Sequence, residues 1–572
     1  MAQKPKSKRD EMLVYALLLI AAFSFRVALA RLLPNDEPFE SQVYVQIARN
    51  ALQQGVYSHA TEPPFEPTLI RLPGYPLFLA GVYSVFGVED HMGVRIVQAL
   101  ADTLSCGLIA LMAFLWEPDP KRKRRTSIAA LALAAFCPFT AIYVSTILPE
   151  TLTIFFSLAM CLTATLAFKA STQMSAALLW SATGVLAGTA VLFRPDSGIF
   201  AAAIGITLVI TKMLRVSDAS FDKKKDEMLN RFARVAHLVA MFSLAFCLVL
   251  VPWTIRNFRV FHLFQPLAPA HAAMPGEFVP HGYFSWLRTW VDDSRYIGPV
   301  IWALDELPIK LDDIPARAFD SAEERQRVAI LLEEYNHPPE GREQTPADDG
   351  SQQEPALPLP EDQPEPNEGS EPPKTDDGRT VAEEGDELKP GTDDLSGAVP
   401  GDELTDQSAD QSPAQPVQMT PEIDAGFAMI AEERVRRNPL RHYLLLPGWR
   451  AVSLWFDTHS QYYPFEGDLI PLKGEYSAPQ QFWLRLFAGF TFFYTLLGIW
   501  GGVLLWRSRE FVARQWLLLA GLLIFLRIAY FATFESPEPR NVVEVFPFLS
   551  ILGGIALTRI LTELQPKAVR RK

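Results

Sequence analysis

Nine apolar runs limit the fold of this 572-residue chain more than any other feature. They cover residues 12–33, 91–116, 126–144, 147–169, 175–212, 236–255, 482–505, 515–533 and 541–562. Each is close to or above the ~20 residues a helix needs to cross about 30 Å of hydrocarbon. Run 175–212 is long enough for two passes hinged at "FRPDSG" (193–198), so about ten passes are expected. Backbone polar groups in hydrocarbon must be satisfied internally, which predicts an all-α polytopic membrane protein. The first run is long for a signal-peptide core, and "LARLLPNDE" (29–37) is a poor cleavage site, so it reads as an uncleaved helix.

Charge placement sets the expected orientation. Basic clusters lie at Lys4, Lys6, Lys8 and Arg9, at "KRKRR" (121–125), across 212–234, at "RSREFVAR" (507–514) and at "KAVRRK" (567–572). Ten passes put all of them on one side, which the positive-inside rule makes cytoplasmic. The expected setting is a multi-pass protein of the inner (plasma) membrane. Three parts follow: an N-terminal transmembrane module (1–255, with a first outer loop at 34–90), an extracytoplasmic segment (256–480), and C-terminal transmembrane helices with a basic tail (481–572). The net charge of −13 comes from one stretch. Residues 338–418 hold 22 acidic and 4 basic side chains and contribute −18, leaving the remainder near +5. That stretch has no aromatic residue and is expected to be a disordered acidic insert. All four cysteines fall inside apolar runs, without disulfide or zinc-site spacing.

The outer segments are not plain turns. In "FESQVYVQIARNALQQ" (39–54), Phe39, Val43, Ile47 and Ala51 recur every four residues, with Tyr44, Ala48 and Leu52 beside them. This is one apolar helix face, as in a helix lying in the membrane interface. A short apolar stretch, "LFLAGVYSVFGV" (77–88), follows "RLPGYP" (71–76) and predicts a second such helix. Helical stretches near 303–335 and 420–446 flank the insert and predict a small α-rich domain outside the membrane.

Ionisable residues in apolar spans are costly and default to functional hypotheses. Here they are Arg26, Asp102, Arg194, Asp196, Arg527 and Glu544, with Arg95 and Glu150 at predicted outer ends. For Arg26, Asp102 and Arg527, structural pairing weighs as much as function. Carboxylates and arginines at headgroup depth suit chemistry on a lipid-linked phosphate. Arginine stabilises the phosphate that leaves, and a carboxylate accepts the proton of an attacking hydroxyl.

Six motifs occur in order: "NDE" (35–37), "RLPGYPLFLAG" (71–81), "LPETL" (148–152), "FRPDS" (193–197), "PWTIRN" (252–257) and "EPRNVVEVFPFL" (538–549). Together they resemble the GT-C glycosyltransferases of the protein O-mannosyltransferase and lipid A aminoarabinose transferase type. The resemblance implies a GT-C fold, a polyprenyl-phosphate-linked sugar as donor, and an extracytoplasmic lipid, glycan or protein as acceptor. It matches Asp36 to the acidic residue that acts as base or orients the acceptor, with Glu37 completing an acidic pair and Glu150 as the second acidic position. Arg71, Arg194, Arg256 and Arg540 match basic positions near the donor phosphate. No cofactor is implied. The C-terminal motif reads Arg540-Asn541 where the family has Arg-Tyr, and the first outer loop has no DxD, so no catalytic metal is predicted.

Simpler readings exist for each motif. "RLPGYP" serves equally as a rigid turn, "PWTIRN" as an interface anchor, and Asp36-Glu37 as charges facing a helix dipole. Two other functions compete: a flippase or transporter of lipid-linked sugars, and a non-catalytic scaffold. A transporter should show internal repeats or broken helices near the midplane, and no repeat is visible. No Walker A sequence or GxGxxG after a strand occurs, which argues against nucleotide-driven transport. The "KRKRR" loop adjoins a membrane, so anionic lipid rather than nucleic acid is its expected partner.

Overall fold

The computed structural model describes residues 8–33, 39–213, 221–269, 271–338, 417–465, 467, 477–508 and 510–564. Asp36, Glu37 and almost all of the acidic insert lie outside them. Among the described residues, nine helices are long and apolar enough to cross a membrane, or ten when one bent pair counts as a span. The membrane helices are α1 (Lys8–Leu32), α4 (His91–Trp116), α5 (Lys123–Ala135), α7 (Glu150–Lys169), α8 (Gln173–Phe193), α9 (Gly198–Met213), α10 (Phe221–Phe261), α15 (Ala478–Arg507), α16 (Phe511–Phe531) and α17 (Phe546–Leu564). Shorter helices complete the series: α2 (Phe39–Gln53), α3 (Gly74–Phe86), α6 (Pro138–Ala141), α11 (His281–Leu287), α12 (Ala322–Asn336), α13 (Pro421–Arg437) and α14 (Leu446–Phe456). No strand occurs among the described residues. The chain is all-α and polytopic, as the apolar runs lead one to expect.

Two breaks have identifiable causes. Thr172 caps the start of α8 by accepting from Ser175 N at 3.1 Å, and Arg194 ends it in an extended conformation (φ −145°, ψ 125°). Proline disfavours helix for the residue before it, so Pro195 forces this stop. A 3₁₀ turn over Pro195–Ser197 then leads into α9, which divides run 175–212 into two spans at the expected hinge. The run 126–144, expected as one pass, is instead α5 and α6 meeting at a 50° bend. The cause is again a proline: Cys137 is extended before Pro138.

The bundle interior is apolar except for a few paired charges. Trp116 of α4 stacks on Trp516 of α16 with ring centroids 5.7 Å apart. Arg26 is fully buried, pairs with Asp102 at 2.5 Å and also donates to the carbonyls of Ala22, Ala134 and Ala135. Every direction in which this guanidinium could act is thus committed to tying α1 to α4 and α5, which settles the Arg26–Asp102 pair as structural.

In the first outer loop, α2 and α3 lie against each other, with Tyr44 and Ala48 packed among Tyr75 and Leu79. Leu77, Val85 and Phe86 of α3 remain exposed. In the segment beyond α10, α11, α12 and α13 bury Trp286, Trp290 and Phe427 in a separate core. Arg434 of α13 joins Glu324 and Asp320 on and before α12. The described residues up to Pro338 and from Val417 belong to one compact unit.

Candidate functional site

Five stretches distant in sequence converge at one end of the bundle. They are the first turn of α2, the segment ending at Arg71, the start of α7, the α8–α9 break, and the C-terminal part of α16 with the following Pro539–Val545 3₁₀ helix. Arg194 is the hub. Its Nη1 donates to Glu150 Oε1 at 2.7 Å, its Nη2 to Asn541 Oδ1 at 2.8 Å, and its Nε to Asp196 Oδ1 at 3.2 Å. Because α8 stops at Arg194, this side chain leaves the helix beside the N-terminus of α7.

A second arginine braces the first. Arg527 is fully buried and donates from Nη2 to Asp196 Oδ2 at 2.7 Å and from Nε to the Asn541 carbonyl at 2.6 Å. It also pairs with Glu544 at 2.8 Å. Asp196 is therefore shared by two guanidiniums, and Asn541 accepts from both through different oxygens. This explains the unusual Arg540-Asn541 pair: the asparagine carboxamide holds Arg194 in place.

The third arginine, Arg540, donates to Glu40 Oε2 at 2.6 Å and lies 2.5 Å from Glu538. Burial opposes ionisation of Glu40, but Arg540, with Arg71 behind it, holds its carboxyl down at about 2. Tyr44, one turn along α2, hydrogen-bonds Glu40 Oε1 at 3.4 Å. Burial pushes its phenol well above the usual range, with Glu40 adding to the push, so Tyr44 stays a neutral donor. Tyr462 packs edge-on against Tyr143 at 5.3 Å. Burial pushes its phenol up to about 12 against the pull of neighbouring Arg540.

Arg71 differs from these three. Among the described residues it has no ion pair; its guanidinium lies 5.7 Å above the Tyr44 ring and its Nε is buried without a partner. Its position depends on a close approach. A Cβ on Gly74 would sit 2.6 Å from the Leu192 carbonyl oxygen, so only glycine lets α3 start against the last turn of α8. Gly74 thus serves contact rather than the tight bend its motif implies.

Of the residues singled out in the sequence, Glu150, Arg194, Arg71 and Arg540 come together. Arg256 does not join them. It sits among Tyr57, Trp253 and Phe261 at 5.0–5.3 Å and donates to the Thr68 carbonyl at 2.7 Å, which fastens α10 to the first outer loop. Asp36 and Glu37 lie outside the described residues. Sequence reasoning missed Glu40, Tyr462 and Asn541. Glu40 carried a signal, an acidic residue in the first turn of an amphipathic helix, whereas nothing local marks Asn541 or Tyr462. Among the described residues no three His, Cys, Asp or Glu side chains converge as a metal-binding set.

One feature has chemical potential. Glu150 is buried, Arg194 takes its Oε1, and its Oε2 accepts no hydrogen bond from the described residues. A buried carboxylate oxygen is thus left without a hydrogen-bond partner in the surroundings of Tyr44, where Arg71, which has no ion pair among the described residues, also lies. An unpartnered carboxylate oxygen can orient a hydroxyl, and a guanidinium can meet an anion.

Residues 66–253 match the family model described as dolichyl-phosphate-mannose-protein mannosyltransferase. Among curated proteins no sequence matches. The oligosaccharyltransferase of Archaeoglobus fulgidus, solved with a tethered acceptor peptide, is similar at 11% identity and a TM-score of 0.46, over 98% of this chain and 51% of that one. The same protein in complex with an inhibitory peptide and a dolichol-phosphate gives 10% identity and 0.45, over 97% and 51%. ArnT from Cupriavidus metallidurans, bound to undecaprenyl phosphate, is similar at 10% identity and 0.35, over 97% and 79%. The chain spans about half the length of the archaeal protein. The match to this family model takes in Arg71, Glu150, Arg194 and Asp196.

Proposed function

We propose that the protein is a membrane glycosyltransferase that moves a hexose or pentose from a polyprenyl-phosphate donor to an acceptor hydroxyl. The acceptor is a lipid, glycan or protein on the extracytoplasmic side of the inner membrane. The unpartnered oxygen of Glu150 and Arg71, which has no ion pair among the described residues, both in the surroundings of Tyr44, carry this reading, and the family match supports it. In the displacement, the acceptor oxygen attacks the anomeric carbon from the face opposite the phosphate. The bond from that carbon to the phosphate oxygen breaks, and the polyprenyl phosphate leaves with the electron pair. The configuration inverts.

Arg71 meets the leaving phosphate in this scheme, because no carboxylate among the described residues pairs with its guanidinium. Arg194 and Arg540, each bound to two carboxylates, hold Glu150 and Glu40 in place and contribute field rather than direct contact. Asp36 takes the acceptor proton, and Glu37 and the open oxygen of Glu150 orient the hydroxyl. The sugar, the acceptor and the side of the membrane are parts of the proposal.

The test is transfer of radiolabelled sugar from a panel of polyprenyl-phosphate donors by the purified protein, wild type against Asp36→Asn and Glu150→Gln. Transfer that Asp36→Asn abolishes supports the scheme. Transfer that survives Asp36→Asn but not Glu150→Gln moves the base to Glu150. A folded protein that binds donor lipid and transfers nothing from any of them returns the carrier or scaffold reading.

A further inference from the structure

Away from the charge cluster, α15 and α16 do not close against each other. They leave an apolar slot of about 670 Å³, floored by Leu549 and Leu552 of α17 and roofed at the cluster end by α14. The cause is glycine. Gly498 and Gly502 of α15 and Gly521 of α16 line it, and a Cβ on Gly521 would meet nothing within 4 Å. The one hydroxyl on its wall, Thr495, is already bonded to Trp455 Nε1 at 3.0 Å and to the Thr491 carbonyl at 2.7 Å. The slot therefore offers an occupant hydrocarbon and nothing else.

Its far end is different. The α16 residues on the slot, Leu517, Gly521, Ile524 and Ile528, continue one turn back to Arg514 with the same helical spacing. The Arg514 guanidinium lies 6.0 Å above the ring of Trp506, the last slot residue of α15. Neither Arg514 nor its neighbour Arg507 has an ion-pair partner among the described residues. From Arg514 to Ile528 the helix rises about 21 Å, somewhat over half the ~30 Å hydrocarbon thickness.

We propose that this slot is a binding site for an anionic glycerophospholipid of the leaflet on the basic side. One acyl chain fills the slot, and the headgroup phosphate pairs with Arg514. The length decides between lipids: one acyl chain fits the run from Arg514 to α14, whereas a polyprenyl chain far exceeds it. The charge decides between headgroups, since an arginine without an ion-pair partner among the described residues, beside a tryptophan, favours an anion at the interface. The headgroup end of the site, at Arg514, lies at the opposite end of α16 from Arg527, and the proposal does not depend on the transferase reading.

The experiment is photolabelling of the full-length protein in lipid nanodiscs, with diazirine-tailed phosphatidylglycerol as probe and labelled peptides located by mass spectrometry. The expected labels fall on the slot-facing residues of α15 and α16. Gly521→Phe fills the slot without a backbone clash and should abolish them, as should Val503→Trp from the opposite wall. Arg514→Glu should leave the slot open but remove the preference for phosphatidylglycerol over phosphatidylcholine, a preference of about fivefold for one arginine at the surface.

Labelling spread evenly over lipid-facing helices such as α10, and unchanged by both filling variants, would overturn the site. Equal labelling by the two headgroups in wild type would overturn the role of Arg514. Stronger slot labelling by a diazirine-tailed polyprenyl phosphate would overturn the assignment to a glycerophospholipid. A filling variant that fails a thermal-melt check is replaced by the other, which approaches from a different helix.

Discussion

At the scale of single residues, the site is a set of arginines sorted by how many carboxylates each already holds. Arg194, Arg527 and Arg540 are each bound to two, while Arg71 has none among the described residues. The proposed scheme predicts opposite kinetic signatures. Arg71→Ala should weaken apparent donor affinity by about one to two orders of magnitude, the worth of a charge-assisted hydrogen bond, which donor KM measures. Glu150→Gln should lower kcat by about 10²–10⁴ with donor KM little changed, and Michaelis curves at saturating acceptor separate the two. A third prediction concerns Glu40, whose carboxyl is held down at about 2 from an ordinary 4.5. A depressed acid stabilises the fold above its unfolded pKa and loses that contribution as pH falls toward the folded value. Glu40→Gln should therefore be less stable than wild type at pH 7, and the difference should close between about pH 4.5 and 2. Thermal melts of the two proteins in detergent across that window check it; a gap that persists at the low end would contradict the pairing with Arg540.

At the scale of elements, the breaks matter more than the helices. Pro195 ends α8 so that Arg194 reaches α7, and Gly74 lets α3 touch the backbone at Leu192 and Phe193. Gly74→Ala should push α3 off this contact at a cost of about 1–3 kcal/mol, and since Arg194 follows directly it should reduce transfer as well. Melting and transfer assays on the purified variant read both effects; lost stability with full transfer would mean the contact does not set Arg194. The sequence carried the helices because hydrocarbon demands long apolar runs, and it carried the proline hinge because that rule is local. It did not reveal the bend at Cys137-Pro138, where an unbroken apolar run hid the proline. It also could not pair Asn541 with Arg194, 347 residues away, since a neutral amide leaves no mark on periodicity or charge. Arg256 shows the converse: its motif pointed to the phosphate, but three aromatic rings around it decide its place.

At the scale of the whole molecule, the two ends of the acidic insert return to the same short segment. Asn336 exchanges hydrogen bonds with Ile309 N and O at 2.9 and 3.0 Å, and Asp305 accepts from Met419 N at 2.7 Å. Replacing residues 339–416 with about ten Gly and Ser residues should thus leave the fold intact. Loop shortening on this scale is worth at most about 2 kcal/mol in favour of the folded state. An unchanged or slightly higher melting temperature is expected; a fall of several degrees would show that the insert contributes contacts of its own.

The charge cluster also imposes a schedule on synthesis. Asp196 is made 331 residues before Arg527, the guanidinium that shares it with Arg194. At ~5–20 residues per second, that is roughly 15–65 seconds spent at the membrane with half its partners missing. Arg527 in turn is made before Asn541 and Glu544, so the apolar segment that begins at residue 541 completes the site. A chain truncated ahead of that segment would carry an arginine into the bilayer with part of its countercharge still unmade, which gives quality-control proteases a clear mark of an unfinished molecule.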